Sequence, residues 1–164
     1  MTVRVQFVGS GDSFGSGGRF QTCILVDGPG RRFTIDFGTS SLIALTQQVL
    51  DLIVTPYPAR HTWQTHPTAL RVDVAGTVVA YTGDGEWTAE LARLGQGADL
   101  LIAESYFYSK PVKWHLNYPE FRAHKDDFGA KRIILTHMSR EMLAHVQEVP
   151  EECAEDGLVV DVNP

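Results

Sequence analysis

Three short segments, 58–61, 81–84 and 135–139, each place one metal-capable side chain directly after a run of apolar or β-branched residues. The three side chains are His61, Asp84 and His137. Loops that follow strands commonly hold catalytic groups on a rigid sheet, so the pattern predicts a site formed at strand ends. Two histidines and one aspartate are ligands that suit zinc or a similar divalent ion.

Each of these residues also has a simpler interpretation, which the sequence leaves open. A lone histidine such as His61 is commonly part of the polar surface. Asp84 could form a turn or the N-cap of a helix near Trp87. In the same way, His137 could cap a helix that starts at Ser139.

The order of the apolar runs predicts an α/β chain. The N-terminal part has the pattern of hairpin strands, whereas strands and helices alternate in the C-terminal part. We expect helices at 87–94, 118–128 and 140–147, and a final strand at 158–162. Two sheets with outer helices, an α/β sandwich, are the simplest architecture for this order. A length of 164 residues suffices for one core, so we expect a single domain over residues 1–164.

The acidic balance argues against a general electrostatic grip on nucleic acid. The formal net charge is -6 and the pI is about 5.4, which still leaves room for a local basic patch. Cys23 and Cys153 lie far apart and outside any C-x-x-C pattern, which predicts a reducing, cytoplasmic environment. The sequence has no long apolar run and no charged-then-apolar leader, so we expect neither a membrane span nor an export signal.

A glycine-rich loop over residues 9–18 follows the first predicted strand, as a phosphate-binding loop would. Such a loop needs a helix N-terminus aimed at the phosphate, but here Gln21 begins another strand. No Lys-Ser or Lys-Thr pair ends the loop. We therefore reject a nucleotide-binding site at this position and expect a loop that closes one end of the sandwich.

Four segments, taken in order, resemble the metallo-β-lactamase superfamily and in particular its ribonuclease Z-like hydrolases. They are Val8-Gly9-Ser10-Gly11-Asp12-Ser13-Phe14, Ile35-Asp36-Phe37-Gly38, Tyr81-Thr82-Gly83-Asp84 and Leu135-Thr136-His137-Met138-Ser139. Each segment is short, but their order and spacing across nearly the whole chain make the resemblance specific. It implies an αββα sandwich in which a metal pair polarises a phosphoester or acyl group and supplies a hydroxide nucleophile.

The resemblance also implies a role for each candidate residue. His61 matches a histidine on the first metal, and Asp84 matches the carboxylate that bridges both metals. His137 matches a histidine on the second metal. His115 matches a histidine that acts near the leaving group, with Glu104 as its partner. The implied cofactor is zinc or another divalent metal, and the implied substrate is a phosphodiester or another small molecule.

The largest departure from the family pattern is the absence of the His-x-His-x-Asp-His segment, which supplies most of the metal ligands in that family. The segment normally follows a short apolar strand, here residues 50–54, but this chain runs directly into residues 55–61. Two β segments are thus joined near Val54, as expected of an internal deletion. Gly85 is a second departure, since a hydroxyl residue is usual there. His66 is close enough in sequence to His61 to replace a lost ligand.

Two functions are compatible with this departure. The first is a hydrolase relative with an incomplete metal site, at most partly occupied, whose activity is weak or lost. The second is a non-catalytic, shortened scaffold or binding module that dimerises through sheet edges left exposed by the deletion. We therefore expect a homo-oligomer. Stoichiometric zinc after reconstitution would favour the first function, and a metal-free, well-folded dimer would favour the second.

Overall fold

The computed structural model describes residues 3–12, 16–38, 40–48, 52–62 and 67–163. The chain forms two units, Met1–Leu52 and Ile53–Pro164. In the part of the chain described, no helix is long and apolar enough to cross a membrane.

The first unit is a three-stranded antiparallel sheet with one helix. Its strands β1 (Arg4–Gly9), β2 (Cys23–Gly28) and β3 (Arg31–Ile35) lie in the order β1-β2-β3. Helix α1 (Ser41–Gln48) packs on β1. A small buried cluster joins the sheet and the helix: Val8, Cys23, Leu25, Ala44 and Leu45.

The second unit is built on a six-stranded mixed sheet in the order β4-β5-β6-β7-β8-β9. Its strands are β4 (Leu52–Pro58), β5 (Thr68–Val74), β6 (Thr77–Tyr81), β7 (Leu100–Glu104), β8 (Ile133–Thr136) and β9 (Glu152–Cys153). Strands β5 and β6 form an antiparallel hairpin, whereas the pairs β6–β7, β7–β8 and β8–β9 are parallel. Gly76, with φ of +89°, supplies the left-handed backbone that the hairpin turn needs.

Three helices accompany this sheet: α2 (Ala89–Gly95), α3 (Tyr118–His124) and α4 (Arg140–Leu143). Helix α3 continues as a 3₁₀ turn over Lys125–Phe128. The Ser139 side chain caps α4 by accepting from the Met142 N–H. Helices and sheet share one core, whose largest fully buried apolar members are Phe121, Phe128, Leu91, Leu94, Leu101, Leu116, Leu135 and Met142.

The parallel arrangement positions the candidate site. The carboxyl ends of parallel strands meet at the same edge of a sheet, so residues that follow β6, β7 and β8 are brought together. Register fixes the match closely, because Glu104 at the end of β7 pairs with Thr136 at the end of β8. His137, the residue after Thr136, therefore lies close to Glu104. Asp84 follows β6, which is the neighbour of β7 on its other side.

The structure differs from the sequence prediction at two places. The expected strand at 158–162 is wrong: this stretch is irregular, and Val159 is 85% exposed with no strand neighbour among the described residues. The helix expected at 140–147 ends at Leu143. The two β segments expected to be joined near Val54 do run on from one another, as one continuous strand, β4.

Candidate metal and acid–base site

The carboxyl ends of β6, β7 and β8 place Asp84, Glu104 and His137 side by side. The His137 Nε2 atom lies 3.5 Å from Asp84 Oδ2 and 3.8 Å from Glu104 Oε1. Asp84 is not a helix cap, since the N-cap of α2 is Thr88. His137 has a left-handed backbone with φ of 53°, a rare conformation for a non-glycine residue. Strain of this kind is often found at functional sites.

His61 joins this cluster from the end of β4. Arg60 forms an isolated antiparallel bridge with Glu86, which follows Asp84 by two residues. The His61 ring meets the His115 ring edge to face at a centroid distance of 5.4 Å. The His115 and His137 rings are 5.7 Å apart. The structure thus brings together all five residues singled out in the sequence, although they come from five separate loops or strand ends.

Glu104 and His115 form a tight pair at the base of the cluster. The Glu104 Oε1 and His115 Nδ1 atoms are 2.5 Å apart, and the Glu104 side chain is fully buried. The second carboxylate oxygen, Oε2, accepts from the backbone N–H groups of Gly85 and Leu116, each at 2.9 Å. With three donors, this buried carboxylate is fully satisfied, and it fixes the ring of His115 by one nitrogen.

Burial changes the acid–base properties around Glu104. Burial raises the pKa of the Glu104 carboxyl, and the hydrogen bonds from Gly85, Leu116 and His115 act in the opposite direction. At Tyr81, burial and then the nearby carboxylates of Asp84 and Glu104 raise the pKa of the phenol. The site therefore combines two neighbouring carboxyl groups with three imidazoles, which are side chains that a cation can bind.

Tyr106 is a functional candidate that the sequence analysis missed. Its ring stacks on His115 at 4.0 Å and lies 5.7 Å from the ring of His137. Its backbone N–H donates to Leu116, and its carbonyl accepts from Ser139. Tyr106 therefore supports both imidazoles and the backbone on either side of them. The only sequence signal was the aromatic run that follows β7.

The remaining histidines fall into two groups. His124 stacks on Trp87 at 4.1 Å and pairs with Asp127 at 2.8 Å. His145 stacks on Tyr108 at 4.2 Å. Both rings therefore have packing roles. His66, the predicted substitute ligand, lies outside the described residues.

The residues present fit a divalent metal ion. Glu104, His115 and His137 offer one ligand atom each, all within 4.8 Å of one another. Asp84 adds a carboxylate oxygen beside His137. Imidazole nitrogen and carboxylate oxygen are the ligands that zinc takes in catalytic sites. With His61 added, the donors suffice for one ion even while Glu104 and His115 stay paired with each other. The sequence lacks the His-x-His-x-Asp-His segment that would add further ligands.

A cleft of about 410 Å³ opens beside His115. Its wall includes both cationic and anionic side chains together with one indole ring: Arg60, Lys113, Glu86, Glu120 and Trp87. Asn117, at the base, donates from its amide to the carbonyl oxygens of Val112 and His115. The cleft gives a small polar ligand a place to lie next to the Glu104–His115 pair.

Comparison with known families identifies the class of protein. The family model described as "Beta-lactamase superfamily domain" matches residues 28–138, more than half of the chain. The chain belongs to this superfamily. The resemblance predicted from the sequence is thereby confirmed. No curated protein sequence matches the chain.

Solved structures show the same fold at low sequence identity. The metallo-β-lactamase fold protein YhfI from Bacillus subtilis is 16% identical, with a TM-score of 0.58 over 98% of this chain and 100% of that one. A diphosphatase from the PhnP family is 14% identical, with a TM-score of 0.58 over 99% and 98% of the two chains. The short form of human tRNase Z is 14% identical, with a TM-score of 0.56 over 99% and 100%. The predicted fold class is confirmed, and a length of 164 residues is consistent with a shortened form of it.

Proposed function

We propose that this protein is a metal-dependent phosphoester hydrolase with an incomplete metal site and weak activity. The observation that carries the proposal is the buried Glu104–His115 pair beside His137 and Asp84. An acid–base pair next to metal-capable side chains is the arrangement that hydrolysis of a phosphoester requires. The His115 imidazole is held by the Glu104 carboxylate and also lines a cleft, where a substrate can reach it.

His115 is the proposed general acid. Its Nδ1 atom is held by Glu104 Oε1, so the proton on Nδ1 is fixed and Nε2 is left to exchange a proton with the substrate. A protonated Nε2 can donate to the departing oxygen, and Glu104 stabilises the charge on the ring while it does so. Tyr106, stacked on the same ring, keeps its plane fixed.

His61, Asp84 and His137 are the proposed metal-holding residues. A divalent ion bound there would act as a Lewis acid on the phosphoryl oxygens of the substrate. Asp84 faces His137, with 41% of its own side chain exposed, so it can reach both the ion and solvent. The missing ligand segment reduces the number of protein ligands, which is the reason to expect weak activity.

A phosphodiester or a related phosphoester is the proposed substrate. Of the structures that share the fold, one is described as a diphosphatase of the PhnP family and another as human tRNase Z. The cleft beside His115 includes Arg60 and Lys113, which can contact a phosphate. The net charge of -6 favours a small substrate over a long nucleic acid.

A metal analysis paired with a phosphodiesterase assay tests this function. After chelation and reconstitution with zinc, we expect about one ion per chain and slow turnover of bis(p-nitrophenyl) phosphate. Turnover should disappear again when the ion is removed by a chelator. A protein that takes up no zinc and shows the same background rate with and without the metal would contradict the proposal.

Zinc affinity should fall when the pH is lowered from about 8 to about 6, because imidazole nitrogens bind a metal only without a proton. Protons and the ion therefore compete for the same ring nitrogens. Competition with a chromophoric chelator at several pH values measures the effect. An affinity that stays constant over this range would show that His61 and His137 are not ligands.

The second candidate is a non-catalytic scaffold that dimerises through a sheet edge. Strand β4 is at the end of the six-stranded order, and Ile53 on it is 67% exposed. An edge strand of this kind can pair with a second copy of the chain. A metal-free dimer in light-scattering measurements, without turnover, would favour this candidate.

A further inference from the structure

Glu86 connects three segments that carry residues of the site. Its Oε1 atom accepts from the backbone N–H of Trp114 at 3.1 Å. Its Oε2 atom lies 3.2 Å from Arg60 Nε. Its own backbone N–H donates to the Arg60 carbonyl at 2.8 Å. Arg60 precedes His61, and Trp114 precedes His115, so one side chain ties together the neighbours of two site histidines.

The hydrogen bond between Glu86 and the Trp114 N–H is made at a residue whose backbone conformation is strained. Trp114 has φ of 73°, a left-handed conformation that a bulky residue adopts only when its surroundings hold it there. This turn is what directs the following residue, His115, towards Glu104. A carboxylate that accepts from the Trp114 N–H is therefore placed where it can stabilise the turn.

The ion pair between Glu86 and Arg60 contributes less to holding the site than the hydrogen bond from Trp114 does. The Arg60 side chain is 68% exposed and that of Glu86 is 24% exposed, so solvent screens this ion pair. The backbone hydrogen bond between Glu86 and Arg60 does not depend on the Glu86 side chain. Loss of the carboxylate should thus affect His115 more than His61.

We propose that Glu86 is a positioning residue for His115. It holds the left-handed turn at Trp114 and so keeps the imidazole within reach of Glu104 and the substrate. The catalytic consequence rests on the proposed hydrolase function, whereas the positioning itself does not. In this proposal Glu86 acts through the turn at Trp114, and it neither holds the metal nor transfers a proton.

Three variants test this role: Glu86→Ala removes the acceptor, Glu86→Gln keeps an oxygen that can accept from Trp114, and Arg60→Gln removes the ion pair. Because Arg60 also lines the cleft, Arg60→Gln is judged by the His115 signals and not by turnover. Glu90→Ala is the matched control, because Glu90 forms an exposed pair with Arg93 one turn along α2. The primary readout is the imidazole ¹H–¹⁵N spectrum of the metal-free protein, which reports the environment of His115. Steady-state turnover of bis(p-nitrophenyl) phosphate is the second readout.

We expect Glu86→Ala to move or broaden the His115 signals and to lower kcat by about 10- to 100-fold, as displacement of a catalytic group does, with little change in KM. Glu86→Gln and Arg60→Gln should keep the parental His115 signals. Unchanged His115 signals in Glu86→Ala would overturn the proposal. If Glu86→Ala does not fold, Glu86→Asp applies the same test with a carboxylate too short to reach Trp114. If the parent shows no turnover, the hydrolase function fails, and the imidazole spectrum still decides the role of Glu86.

Discussion

Asp84→Ala should abolish zinc binding, whereas His115→Ala should leave it intact. Asp84 is the only carboxylate among the three proposed metal-holding residues, and its Oδ2 lies 3.5 Å from His137 Nε2. Without it, two imidazoles alone have to hold the ion. The loss should exceed the roughly 10- to 100-fold that removal of a supporting hydrogen bond costs. Isothermal titration with zinc measures both variants.

The comparison between these variants decides where the ion lies. Glu104, His115 and His137 also come close enough to share an ion. If that group were the true site, His115→Ala would lose zinc and Asp84→Ala would retain it, the reverse of our expectation. Parental affinity in both variants would place the ion elsewhere, for example on His66. Hydrolysis adds a second check, since it should vanish in Asp84→Ala and fall in His115→Ala while zinc stays bound.

The strand pattern of the sequence was enough to predict that Asp84 and His137 would lie close together. Apolar runs mark the strands before Asp84 and His137, and parallel strands bring their carboxyl ends to one edge. Local pattern therefore determines position here, because each residue directly follows its strand. His61 and His115 were harder to place, since they are held by loops. His61 was singled out by the strand that precedes it, whereas His115 was singled out only through the resemblance to a family.

What the sequence could not predict depends on backbone geometry. Tyr106 supports two imidazoles through stacking and through its own N–H and carbonyl groups, and no side-chain pattern encodes those bonds. Glu86 acts on the left-handed turn at Trp114, which becomes visible only in the folded chain. Strand β9 has only two residues, too few to show an alternating pattern. The expected strand at 158–162 failed for the opposite reason: its apolar run has no strand beside it.

Substitution of Glu104 should lower both the stability of the protein and its turnover. Which of the two falls more should depend on the residue that replaces it. Glu104→Leu removes the acceptor for Gly85 and Leu116, both of which are buried. Each unsatisfied buried N–H costs about 1–3 kcal/mol, so the free energy of unfolding should fall by about 3 kcal/mol. Urea unfolding measures this loss. A decrease below about 1 kcal/mol would show that water replaces the carboxylate.

Glu104→Gln should separate stability from catalysis. The glutamine carbonyl oxygen can accept from Gly85 and Leu116 in place of Oε2, so most of the folding free energy is kept. Its amide then faces His115 Nδ1 and donates to it, which moves the ring proton to Nε2 and reverses the tautomer. Turnover should fall by about 10²- to 10⁴-fold, the range that a correctly poised acid–base group contributes.

Glu151→Gln is the matched control, because Glu151 is also a buried carboxylate, 3% exposed, but pairs with Lys125 away from the site. Both substitutions remove one buried negative charge, so a general electrostatic effect would appear in both. Only the Glu104 change alters the proton on His115. If Glu104→Gln and Glu151→Gln reduced turnover equally, the pair at the base of the site would be a structural contact, and His115 would not be the acid.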